Sequence, residues 1–300
     1  MNPKPEIQDL KSKIRNPKLG WSKIQNPKSK IEEIEIGLLL EAIFQRYGYD
    51  FRHYSRASIE RRVRQFQGKS GCSTISEMIP KLLYDASFFE VFVREFSITV
   101  TDMFRDPFVY RSLRKNVVPI LKTYPFVKIW HAGCATGEEA YSLAIVLKEE
   151  GVYDRATLFA TDFNDAALDE AKKGIYALDN AKKFTTNYQA AGGTSSFSEY
   201  YHARYQAMAI NTSLRENITF ANHNLVTDSV FGEMHFIMCR NVLIYFEKAL
   251  QDRVLNLFSD SLVHGGMLCL GTKESLRFSN VKNRFQTIDE DARIYRKKAL

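Results

Sequence analysis

Apolar positions recur at helical spacing from Ile31 to Tyr47 (Ile31, Ile34, Leu38 and Phe44, with Glu32, Glu33 and Glu41 between them), and Gly48 suits the stop. This stretch reads as an amphipathic helix. A second helix is predicted from about Ser58 to Gln67, ended by Gly68. A third follows Thr74-x-x-Glu77 and a fourth follows Ser87-x-x-Glu90, both with the spacing of a capping box. Residues 31–100 are therefore expected to form a small helical bundle. Asp106-Pro107 reads as the N-cap and first residue of one more helix running toward Lys122, broken by Tyr124-Pro125. Residues 101–125 then serve as linker and connecting helix.

After Pro125 the rhythm changes. Val127–Ala132 is a strand candidate, Gly133–Gly137 a glycine-bearing turn, Glu138–Glu150 a helix, Thr157–Thr161 a strand and Asn164–Lys173 a helix. Ile218–Ala221, Met234–Cys239 and Met267–Gly271 supply further strands, a helix is predicted from about Glu247 to Val263, and Arg293–Lys297 is expected to pair antiparallel at an edge. Strands alternating with helices imply an α/β domain over 126–300, with a mostly parallel sheet covered on both faces. The polar, aromatic stretch from Gly174 to about Asn217, with Gly192-Gly193 inside it, reads as an insertion on that domain.

Charge alters this picture only at the N-terminus. The chain of 300 residues carries a formal +7, but residues 1–30 hold seven Lys and one Arg against Glu6 and Asp9, leaving about +1 for residues 31–300. That tail contains a near repeat, Ser12–Lys18 and Ser22–Lys28, and prolines at 3, 5, 17 and 27. Its few bulky apolar groups cannot offset the entropy of ordering it, so disorder is expected. The longest apolar runs, such as Ile36–Leu40, fall far short of the ~20 residues that cross a bilayer. No apolar segment with a cleavage site follows the N-terminal lysines, so a cytoplasmic location is expected. The four cysteines show no CxxC spacing and the six histidines are scattered, which suggests reduced thiols and no metal site.

In an open parallel sheet, ligands collect at the carboxyl ends of the strands. The turn His131-Ala-Gly133-Cys-Ala-Thr-Gly137-Glu138-Glu139 follows the first strand there, and Gly133 would let backbone approach a ligand; a tight strand-to-helix connection is the alternative. Asp162, directly after the second strand, stands where a carboxylate accepts hydrogen bonds from ribose hydroxyls, or else where it caps the helix near Asn164. The turn lacks the G-x-G-x-x-G spacing of a dinucleotide fold, so an adenosyl cofactor without a pyrophosphate fits better. Asn222-His-Asn224-Leu225 and Cys239-Arg240-Asn241-Val-Leu-Ile-Tyr245-Phe246 follow the third and fourth strands, and Thr99-Val-Thr101-Asp-Met-Phe104-Arg105-Asp106-Pro107 lies at the junction of the two domains, a place where clefts form.

At these residues the chain resembles the CheR-type chemotaxis receptor methyltransferases, which use S-adenosylmethionine to esterify glutamate side chains of chemoreceptors. The resemblance covers about 31–298 and includes FRHYSRASIERRV, TDMFRDP, WHAGCATGEEAYSLA, FATD, NHNL and CRNVLIYF. It implies a class I S-adenosylmethionine-dependent methyltransferase domain with a Rossmann-like sheet, an N-terminal all-α domain and a small inserted β-subdomain over about 174–217. It assigns cofactor contacts to Thr101, Arg105, Glu139, Asp162, Asn224, Leu225, Arg240 and Asn241, with Thr99 standing where the family usually has asparagine. It places Arg105 and Tyr245 beside the transferring methyl, and S-adenosylhomocysteine as the product.

Arg52, Arg56, Arg61, Arg62 and Arg64 lie in and just before the second helix. A basic stripe suits an acidic helical partner, and the resemblance makes that partner the glutamate-rich coiled-coil helices of a receptor. A solvated face paired with the chain's own acids is the alternative. A monomer without membrane insertion is expected. The near-neutral charge of 31–300 argues against nucleic acid, because phosphate binding needs clustered positive charge. Other functions left open by the residues are a receptor-docking or cofactor-sensing module without turnover, and a methyltransferase on another acceptor.

Overall fold

The computed structural model describes residues 27–97, 101–230 and 232–299, so most of the basic tail, including its expected disorder, lies outside the described residues. Helix α1 begins at Pro27 and runs to Tyr47, so residues 27–30 belong to it and not to the tail. Its inward face is Ile36, Leu39, Leu40 and Ile43, while Ile31, Ile34 and Leu38 are more than half exposed. The helix carries apolar residues on two sides, and the packing of the bundle decides which side is covered. Helix α2 (Arg56–Ser70) passes through Gly68 and stops at Gly71, whose φ of 69° supplies the left-handed exit. Helices α3 (Met78–Tyr84) and α4 (Ala86–Phe96) complete the bundle.

The capping differs from the sequence pattern. Asp85, not Ser87, caps α4, accepting from the Ser87 and Phe88 amides at 2.9 and 3.1 Å. Its extended backbone (φ −118°) aims the carboxylate at those donors, whereas Ser87 is already inside the helix. Before α3, Thr74 Oγ1 accepts from the Glu77 amide at 3.3 Å, but the Glu77 carboxylate takes the Ser73 amide, one residue earlier than a capping box requires. Asp106 precedes α5 (Pro107–Ser112) without capping it, because its carboxylate is drawn to Arg240. A π-helical stretch, Leu113–Val117, joins α5 to α6 (Val118–Leu121).

Strands β1 (Val127–Ala132) and β2 (Ala156–Asp162) flank helix α7 (Glu138–Glu149), and α8 (Asp165–Lys173) follows β2. The insertion holds β3 (Ile175–Ala177), α9 (Ala181–Ala190), β4 (Tyr201–Arg204) and β5 (Ala207–Ile210), its strands forming an antiparallel sheet in the order β3-β5-β4. The main sheet continues with β6 (Ile218–Asn222), β7 (Met234–Cys239), helix α10 (Lys248–Ser261), β8 (Leu262–Leu270), β9 (Phe285–Asp289) and β10 (Ile294–Lys297). Its order is β6-β2-β1-β7-β8-β10-β9. The first five strands are parallel, and β10 runs antiparallel to both neighbours. The edge is therefore β9, and β10 lies one place inside it. Strand β8 also starts earlier than Met267, because the backbone turns extended at Leu262 and ends α10 there.

One face of the sheet packs against α7, α5 and the insertion; the other shares an apolar cluster with α10 and the helical domain, where Leu39, Phe92, Trp130, Ile237 and Phe258 meet. Backbone bonds sew the two domains together: the Ser55 amide donates to Tyr245 O at 2.7 Å and the Glu247 amide to His53 O at 2.9 Å. The Tyr54 and Phe246 rings meet edge-on beside them. Among the described residues no helix is long and apolar enough to cross a membrane, no group of His, Cys, Asp and Glu is placed to hold a metal, and the four cysteines are buried free thiols.

Candidate functional site

At the carboxyl ends of β1, β2, β6 and β7, an open cleft of about 970 Å³ separates the sheet from the helical domain. Thr101, Arg105, Gly133, Glu139, Asp162, Asn224, Leu225, Arg240, Asn241 and Tyr245 all line it, as does Arg62. Thr99 lies outside the described residues.

The β1 turn is built for close approach. Gly133 has φ 77°, and a β-carbon on it would come 2.5 Å from Val242 Cγ2, so the turn and the loop after β7 stand nearer than any other residue would allow. The Asp162 carboxylate accepts from the Ala135 amide at 2.9 Å through Oδ2 and from the Asn164 amide at 3.0 Å through Oδ1. Asn164, not Asp162, caps α8, taking the Ala167 amide at 3.3 Å. Each Asp162 oxygen thus keeps acceptor capacity for a hydroxyl. Burial raises the pKa of Asp162 against the pull of those backbone amides.

A buried ionic chain runs behind the cleft. Arg240, its side chain fully buried, bonds the Glu139 carboxylate, donates to Arg105 O at 3.1 Å, and pairs with Asp106 at 2.6 Å. His131 Nε2 lies 3.0 Å from the other Glu139 oxygen. Burial alone would raise Glu139, but the adjacent guanidinium and the imidazole bond overcome it and hold the group at about 2. Glu139 and Arg240 therefore spend much of their hydrogen-bonding capacity on each other and on the Arg105 loop. Phe104 and Asp106, on either side of Arg105, both adopt left-handed backbone (φ 53° and 56°), a conformation costly for residues with a β-carbon unless surroundings impose it.

The arginines of α2 divide. Arg52 pairs with Asp50 and Glu41, Arg56 with Glu33 and Glu60, and Arg64 with Glu32 and Glu60. The acids of α1 stand opposite, which is the solvated, internally paired face and not an open basic stripe. Arg61 is exposed and makes no ion pair among the described residues. Arg62 points the other way. It is buried, bonds Phe96 O, and lies 4.8 Å over the Tyr245 ring, while its Nε and Nη2 have no hydrogen-bond partner among the described residues. Burial lowers its pKa from the ordinary arginine value.

Several residues in the cleft escaped the sequence reading. Tyr54, Phe163, Val226, Val242 and Phe246 form its apolar walls. Phe163 follows Asp162 at a strand exit, a position that marks it, and packs edge-on with Tyr49 and Phe51 of the helical domain. Glu274 braces the loop after β7, accepting from the amides of Gly271 (2.6 Å), Asn241 (3.2 Å) and Ile244 (3.3 Å). Nothing in its local sequence distinguishes it from a surface acid.

Two protein-family models match the chain in succession: the CheR methyltransferase all-alpha domain over residues 34–97 and the CheR methyltransferase SAM-binding domain over residues 99–294. Among curated proteins it is similar to the putative methyltransferase Cher3 of Pseudomonas putida, 49% identical over 88% of this chain and 97% of that protein. It is also similar to the chemotaxis protein methyltransferases of Listeria innocua (30%, covering 76% and 85%) and Borreliella burgdorferi (25%, covering 82% and 90%). Among solved structures, magnesium protoporphyrin IX methyltransferase of Synechocystis with bound SAM aligns over 74% of this chain and 96% of that one, at 13% identity and a TM-score of 0.35.

Proposed function

Because the chain belongs to the CheR methyltransferase family, we propose that its acceptor is the carboxylate of glutamate side chains on the helices of a chemoreceptor-like protein, modified on their cytoplasmic stretch. The reaction class is S-adenosylmethionine-dependent methyl transfer, and S-adenosylmethionine supplies the electrophilic methyl group when bound. The cleft suits that cofactor: Asp162 offers acceptors for ribose hydroxyls, and Phe163, Leu225 and Val226 offer an apolar wall for a purine. Thr101, Arg105, Asn224 and Asn241 provide the remaining polar contacts, with Glu139 and Arg240 fixing the surface behind them.

The observation that carries the choice of acceptor is Arg62. A buried guanidinium with two nitrogens unpartnered among the described residues, beside Tyr245 and in the same cleft as Arg105, supports an anionic guest. An unpaired buried cation is costly, and a carboxylate is the group that relieves it bidentately. A glutamate has an unperturbed pKa of about 4.3, so at neutral pH it is already the nucleophile and needs no general base. What remains for the protein is alignment of the attacking oxygen and exclusion of water. Arg105 and Arg62 orient the carboxylate, and Tyr245 Oη holds its second oxygen.

The test is incubation with a radiolabelled methyl donor and membranes bearing receptors. A base-labile label in the receptor band is expected, lost when the acceptor glutamates are changed to alanine. Base-stable label, or label in small carboxylates alone, would overturn the assignment.

A further inference from the structure

The loop of residues 102–106 is tied down residue by residue, and three of its residues are held from the insertion. Lys183 on α9 pairs with the Asp102 carboxylate at 2.7 Å. Asn187, one turn further along α9, donates Nδ2–H to Met103 O at 3.0 Å. Phe104 donates its amide to Ser142 Oγ at 2.9 Å, and its buried ring is walled edge-on by Tyr188 and Phe197 of the insertion. Arg240 holds Arg105 O and Asp106. The insertion also grips the β1 turn, where Tyr176 Oη donates to Thr136 O at 2.8 Å.

From this we infer that α9 is a positioning element for Arg105, with Asn187 as its key residue, so that the insertion is part of the transfer machinery and not an appendage to it. The reason is conformational. Phe104 and Asp106 sit in left-handed backbone, which relaxes unless both sides of the loop are held. Arg240 fixes the C-terminal side from the sheet, and Asn187 fixes the N-terminal side from the insertion. Lys183–Asp102 is an exposed pair and adds little. The half-buried Asn187 bond meets a carbonyl on a fully buried residue, where an unpaired acceptor is expensive. Arg105 and the adjoining Thr101 also line the cofactor cleft, so loosening the loop weakens those two contacts, while the cofactor contacts made from β1, β2 and β6 stay as they are.

The inference rests on the reading of Arg105 at the transfer centre, and a double-mutant cycle separates the two. Asn187→Leu is expected to lower kcat on receptor membranes about tenfold. Amide hydrogen exchange over residues 101–106 is expected to quicken, S-adenosylhomocysteine affinity by calorimetry to fall by less than kcat does, since only Thr101 and Arg105 of its contacts lie on or beside the loop, and Asn187→Gln to recover most of the loss. In an Arg105→Ala background the same substitution should change kcat less than twofold. An equal loss in both backgrounds, or unchanged exchange in the loop, overturns the inference while leaving Arg105's role intact. An Arg105→Ala chain that turns over normally overturns the underlying assignment, and this inference with it, before any Asn187 variant is made. Should Asn187→Leu fail to fold, Asn187→Asp, which keeps the volume and sets a carboxylate against the carbonyl, is read by the same criteria.

Discussion

Two adjacent carboxylates at the start of α7 meet different surroundings, and their titration separates what each is for. Burial, with the Asp102 charge adding to it, pushes Glu138 up to about 7, despite the Thr136 hydroxyl and the backbone amide that donate to it. Glu139 has Arg240 and is held at about 2. The signs follow. With a native pKa above the ordinary 4.5, Glu138 binds protons more tightly folded than unfolded, so stability falls as pH rises from 4.5 through 7. Glu138→Gln, which keeps an oxygen for Thr136, should therefore stabilise the chain by about 1–3 kcal/mol at pH 8 and hardly at all at pH 4.5, measured by urea unfolding. Glu139 contributes the opposite way, with stability present above 4.5 and lost as pH falls toward 2. Residues of the site were legible in the sequence where a strand exit announces them, as at Gly133, Asp162 and Arg240. Arg62 was read only as one of a stripe of substrate-facing arginines, because nothing local shows that it turns inward among neighbours that pair outward, and Glu274 was not read at all, because it acts on a loop thirty residues away.

Strands β1 and β7 were read to the residue, since both are largely apolar stretches bounded by turn signals, whereas β8 begins five residues before its predicted start. Elements whose pattern admits two solutions were read less well. Strand β9, with Phe285 inward and Gln286 and Thr287 exposed, is too short and too polar to announce itself, and only its pairing with β10 defines it. Helix α1 is the clearest case, for periodicity located the helix but chose the wrong face. The choice has an energetic signature. Leu39 is wholly buried and Ile34 is 53% exposed, so Leu39→Ala should cost about 2–5 kcal/mol and Ile34→Ala less than about 1 kcal/mol in chemical denaturation. Similar losses at both positions would mean that the outer face is covered in solution.

At the scale of the whole molecule, the cleft exists because two domains share a wall, and no local pattern encodes that juxtaposition. The family resemblance named both domains, but the contacts between Tyr54 and Phe246, or Phe51 and Phe163, join segments far apart in the chain. Their consequence is cooperativity. The helical bundle and one face of the sheet contribute to a single apolar cluster, and Tyr54 and Arg62 bring the bundle into the site itself. Unfolding either domain alone would expose that cluster and open the cleft, so residues 27–299 should melt in one calorimetric transition with van't Hoff and calorimetric enthalpies in agreement. Adding S-adenosylhomocysteine at a hundred times its dissociation constant stabilises only the folded chain, by about 2.7 kcal/mol, and should move that single transition upward by several degrees. Two transitions, with the ligand displacing the later one alone, would mean that the bundle is a passive neighbour and that the sheet domain binds the cofactor unaided.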